Sequence, residues 1–130
     1  MANELTVGPA QAVALLQKKG ELEMLKPLIR LIHLFDSYIA GTSHLSDPSV
    51  LKGLKEGESL TLRREDNKFD SNAILILNAE GLKLGYVPEK DNIIFARLMD
   101  AGKCLTAKVK TIEEHAGFKK IAIGIYLKDF

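Results

Sequence analysis

The sequence holds one cysteine, no tryptophan and few aromatics, and its net charge is only +1 over 130 residues. Each shortage excludes something. A lone Cys104 forms no internal disulfide, and the three histidines, His33, His44 and His115, lack zinc-ligand spacing. Cys104 therefore reads as a small buried apolar residue. No run of about 18 apolar residues occurs, and no basic segment with an apolar stretch and cleavage site opens the chain. The expectation is a cytoplasmic protein without membrane attachment. Near-neutral charge removes any global electrostatic argument for a polyanionic partner, so such affinity must come from local placement. From Ala101 onward six lysines face only Glu113, Glu114 and Asp129, a local basic excess. No phosphate-binding loop of the Gly-Lys-Ser/Thr type is present, and the acidic loop around Asp66, Asp70 and Asn72 fails the calcium-loop spacing. The chain is read as a non-enzyme with no metal and no cofactor.

What is present is one domain's worth of apolar pattern, with 46% hydrophobic residues. Pro9 to Lys19 carries helical spacing closed by Gly20, and the following stretch is broken by Pro27. Residues 1–33 are therefore predicted as a helical extension and 34–130 as a β-rich domain. Ser59 to Arg64 alternates, with Leu60, Leu62 and Arg64 on one face and Thr61 and Arg63 on the other. Ala73 to Leu77 is apolar on both faces, and Asn78 to Gly81 supplies a turn into Leu82 to Val87. Glu89 to Ala101 suits an amphipathic helix after Pro88. Two alternating strands follow, around Leu105 to Lys110 and Ile121 to Lys128. Short strands with short connections predict a mainly β, α+β fold: a small antiparallel OB-like β-barrel with two helices. Its expected core includes Leu60, Leu62, Ile74, Ile76, Leu84, Leu105, Val109, Ile123 and Ile125.

The segment Arg63 to Ile74 is a polar loop holding one aromatic between two strands. As pure structure, its Asp and Asn side chains cap backbone amides and Phe69 tucks into the core. As function, Phe69 is a stacking platform and Asp70 an acceptor. Arg63, Arg64, Lys68, Lys108 and Lys110 are candidates for backbone phosphates, with ordinary surface charge as the alternative.

This segment, with Ile39-Ala40-Gly41 before it, Gly85-Tyr86-Val87-Pro88 after it and the helix containing Ala96, Leu98 and Met99, resembles the signature of the HIRAN domain. The resemblance spans roughly Leu34 to Phe130. It implies a barrel-like fold that recognises the 3′ end of single-stranded DNA in repair, replication or mobile-element settings, with a helicase or repair protein as a candidate further partner. It places Phe69 on the base, Asp70 on the 3′-hydroxyl, Asn67 in the loop meeting the terminal nucleotide, and Tyr86 beside the nucleic acid. Ser43 and His44 fall on an upstream binding position where DNA-end binders of the family carry a basic residue and then an aromatic. That departure keeps open a second reading, a protein-interaction module that has lost DNA binding.

Overall fold

The alternation of branched and polar residues from Ser59 onward becomes an antiparallel sheet in the computed structural model, which describes residues 30–129. Six strands form it: β1 Arg30–Tyr38, β2 Ser59–Arg64, β3 Ile74–Leu77, β4 Lys83–Tyr86, β5 Leu105–His115 and β6 Phe118–Asp129. One α-helix, α1 (Glu89–Asp100), lies between β4 and β5. Strand order is β1-β6-β5-β2-β3-β4. The helix predicted at 9–19 and most of the predicted 1–33 extension lie outside the described residues. Residues 30–33, the end of that extension, are strand and not helix.

All nine expected core residues are buried, together with Ile39, Val87, Phe95, Ala96, Ala107 and Ile121. Register explains the set. Leu62 sits opposite Ile76, and Leu60 opposite Ala107, which faces Ile125. These residues share the sheet's inner face. Thr61, Arg63, Lys108 and Tyr126 fall on the outer face by the same period of two. The β3 strand is buried throughout, as its two-sided apolarity implied.

Three expectations are corrected. The ladder is open, not a closed OB-like barrel, with β1 and β4 as its edges. Ala40, beyond the end of β1, exchanges a single pair of backbone hydrogen bonds with Tyr86, at 2.8 and 2.9 Å. Further pairing stops because Gly41 turns the chain through a left-handed φ of 77° and Pro88 has no N–H to continue β4. Instead of two helices, the described residues hold α1 and two short 3-10 turns, Thr42–His44 and Pro48–Leu51. Cys104 is exposed, because it lies in the connection after Gly102, ahead of the alternation that starts at Leu105. The final two strands also run longer than their apolar cores, to a tight hairpin around Gly117.

Gly85 makes the Ala40–Tyr86 bridge possible. A Cβ there would lie 2.3 Å from the Ala40 carbonyl oxygen and 2.6 Å from Ile39 Cγ2. Only a residue without a side chain admits so close a backbone approach.

Candidate functional site

The connection from β2 to β3 is stapled at its base and ordered along its length. Glu65 N–H donates to the Ala73 carbonyl, and the Arg64 guanidinium donates to the Ala73 and Ser71 carbonyls and to Asp100 on α1. Asn67 Oδ1 accepts from the Phe69 N–H at 2.8 Å, and Asp70 Oδ1 accepts from the Asn72 N–H at 2.9 Å. These are the Asx turns that the sequence suggested. Phe69 does not tuck into the core. It is 86% exposed at the loop tip, with Lys68 Nζ 5.3 Å from its ring centroid.

Asp70 is held from both sides. Its second oxygen accepts a hydrogen bond at 2.9 Å from Nδ2 of Asn92, a side chain only 2% exposed. A carboxylate offers about four lone-pair positions, so two remain for another donor. Orientation is thus set while acceptor capacity is kept.

A second network supports the loop's other flank. The Tyr86 hydroxyl donates to Glu65 at 2.9 Å, the Asn67 amide donates to the same carboxylate at 2.9 Å, and Lys83 Nζ lies 4.6 Å from the Tyr86 ring centroid. Asn67 therefore bridges Glu65 and the Phe69 backbone. On the far side of Asp70, the first turn of α1 meets the end of β1: Ser37 Oγ donates to Asp91, and Lys90 lies over the Tyr38 ring at 5.4 Å.

The structure brings Asn67, Lys68, Phe69, Asp70 and Tyr86 into one place. Gly41, whose Cβ position would be 3.7 Å from the Tyr86 ring, leads into the 3-10 turn of Ser43 and His44, where Ser43 lines a hollow with Leu51, Glu114, His115 and Phe118 and His44 lines another with Leu82 and Lys83. Arg63 is exposed on the outer face one residue before the loop's staple. Arg64 serves the scaffold, with four of its five donors taken by the loop and Asp100. Lys108 and Lys110 are elsewhere. Lys108 pairs with Ser59, at the opposite end of β2 and about 17 Å of extended strand from Arg64. Lys110 is joined to Asp36 at 3.0 Å. Together with His33, it lowers the Asp36 carboxyl below its ordinary value of 3.8, with the Lys110 hydrogen bond the larger cause.

Residue patterns alone did not single out Glu65, Lys83, Lys90, Tyr38 or Asn92. Asn92 carried a usable signal: with Phe95 and Ala96 it lies on the helix's buried face, where an amide needs a polar partner. Ile93 and Ile94, apolar neighbours of Asn92 on that helix, are exposed.

Comparison with known proteins extends this geometry. A family model described as HIRAN domain matches residues 32–128. A crystal structure of a protein from Lactobacillus plantarum is similar at a TM-score of 0.72 and 25% identity, covering 78% of this chain and 99% of its own. The HIRAN domain of human HLTF aligns with a TM-score of 0.61 at 17% identity, over 77% of this chain and 78% of its own, a likeness of fold alone. Among curated proteins no match is found.

Proposed function

The chain belongs to the HIRAN domain family, which is associated with binding DNA, and from that premise we propose that it reads the free 3′ end of single-stranded DNA without a catalytic step. The observation that carries this reading is Phe69, 86% exposed at the tip of an ordered loop beside an Asp70 whose carboxylate is oriented by buried Asn92. A large apolar side chain held in water on a rigid loop is poorly explained by folding. As a ring, Phe69 stacks on any terminal base, without sequence preference. Asp70 accepts a hydrogen bond from the 3′-hydroxyl and repels a phosphate placed there. Lys68, Arg63 and Lys83 supply positive charge for the adjoining backbone, and Tyr86, Asn67, Ser43 and His44 line the approach. The setting we assign is cytoplasmic DNA repair, replication or a mobile element, alongside a helicase or repair protein.

Fluorescence anisotropy with 5′-labelled single strands at low salt tests the reading. The 3′-hydroxyl strand is expected to bind about 10- to 100-fold more tightly than its 3′-phosphate twin, from loss of a charge-assisted hydrogen bond worth ~1.5–3 kcal/mol. Asp70→Asn blunts that difference. Equal binding of the two strands refutes end reading, and binding of neither favours a protein partner, for which the exposed Ile93 and Ile94 of α1 offer an apolar surface.

A further inference from the structure

Tyr86 and Tyr126 are far apart in sequence, yet the strand register puts both on the outer face of one sheet. Tyr86 pairs with Leu75, which pairs with Arg63. Two residues along β2, Thr61 pairs with Thr106, which pairs with Tyr126. Between the two tyrosines the outer-face positions are Leu75 and Leu77 on β3, Ser59, Thr61 and Arg63 on β2, Thr106 and Lys108 on β5 and Gly124 on β6, none of them acidic; Leu75, Leu77, Thr106 and Gly124 are buried. Ser59, Thr61 and Arg63 are exposed along the middle of this face, with Lys108 beside them.

Tyr126 sits at the far end of this strip in a built setting. Its ring rests on Gly124, where an added Cβ would come within 2.9 Å of it. Lys108 Nζ lies 5.6 Å from the ring centroid, and the His33 ring meets it edge-on at 5.3 Å. Beside them, Lys110 is tied to Asp36.

We infer that this outer face is a second nucleic-acid contact, carrying the strand away from the end pocket, with Tyr126 stacking on an upstream base and Arg63 and Lys108 meeting phosphates. The inference rests on the end-reading proposal for polarity, but Tyr126 and Lys108, which distinguish it, lie apart from the pocket. Four strand spacings of ~4.8 Å separate Tyr86 from Tyr126, about 19 Å in all. That is about six nucleotides at the ~3.4 Å rise of a stacked strand, inside the ~4–16 that such single-strand sites cover. Aromatic platforms flanked by cations on a sheet face are suited to single strands, whose bases are free to splay and stack.

The experiment compares a 3′-hydroxyl trinucleotide, too short to reach Tyr126, with a strand of about twelve nucleotides. Trinucleotide binding is read from amide chemical shifts and twelve-nucleotide binding from anisotropy. Tyr126→Ala is expected to weaken the long strand about 5- to 140-fold and to leave the trinucleotide unchanged. Tyr126→Phe retains the long-strand affinity, and Lys108→Glu lowers it. Thermal melting checks that each variant is folded. If Tyr126→Ala and Lys108→Glu leave the long strand unaffected, or weaken both ligands equally, the sheet-face contact is wrong even where end reading stands. If the long strand depends on Tyr126 while no 3′-end preference exists, the sheet-face contact stands and end reading falls.

Discussion

Replacing Phe69 by alanine separates a binding role from a structural one, because its exposure makes the two predict opposite results. The side chain is 86% exposed, so removing it leaves the inner face of the sheet untouched. Such surface truncations change stability by about 0.5 kcal/mol or less. At roughly 4 °C of melting temperature per kcal/mol, the expected shift is about 2 °C. Were Phe69 a core residue, truncation would cost about 3–5 kcal/mol and lower the melting temperature by some 12 °C or more. Binding behaves in the reverse way. Loss of a base-stacking platform removes about 1–3 kcal/mol, a 5- to 140-fold rise in Kd for single-stranded DNA. The loss falls similarly on 3′-hydroxyl and 3′-phosphate strands, because stacking ignores the sugar's end group. Differential scanning fluorimetry and anisotropy on the same preparation read both quantities. A large fall in melting temperature, or an unchanged Kd in a protein that binds, refutes the platform assignment.

Three further outcomes follow from particular contacts. Arg64→Ala releases the loop from the Ala73 and Ser71 carbonyls and from Asp100, and is expected to cost about 1–3 kcal/mol in urea unfolding. Arg64→Lys is expected to recover little, lacking the guanidinium fork, and the salt dependence of binding is expected to stay unchanged if the guanidinium serves only the loop and Asp100. Gly85→Ala drives a Cβ to 2.3 Å from the Ala40 carbonyl, so urea unfolding should show a loss of about 1–3 kcal/mol or more, and amide exchange should show the Ala40–Tyr86 bridge opened. Asp36 should titrate below 3.8 by carboxyl NMR, and Lys110→Ala should move it back toward that value. Because its folded value is depressed, any stabilisation from the pair is present above pH 3.8 and is lost as pH falls through the folded value.

The inner face of the sheet was legible because alternation is a local property: Leu60 and Leu62, Ile74 and Ile76, and Ile123 and Ile125 each announce one buried side. The loop's Asx turns were legible for a similar reason, since Asn67 and Asp70 reach amides two residues on. Helix α1 was placed within a residue by Pro88 and Gly102, but which of its side chains are buried was not legible. Ile93 and Ile94 are apolar and exposed, whereas the polar Asn92 is buried because Asp70, distant in sequence, supplies its acceptor.

Local chemistry thus determined the strands, the turns and a loop presenting one aromatic beside one carboxylate. Strand order and register decided the rest. They left the ladder open at a single Ala40–Tyr86 bridge, gave Arg64 its partners at Ala73 and Asp100, and moved Lys108 and Lys110 away from Phe69. Whether Phe69 faced core or solvent was equally beyond the sequence, because a lone aromatic among polar neighbours has no period to assign it a side. Ties from Arg64, Asn67 and Asn92, which join residues up to 36 positions apart, help hold that loop with its ring in water.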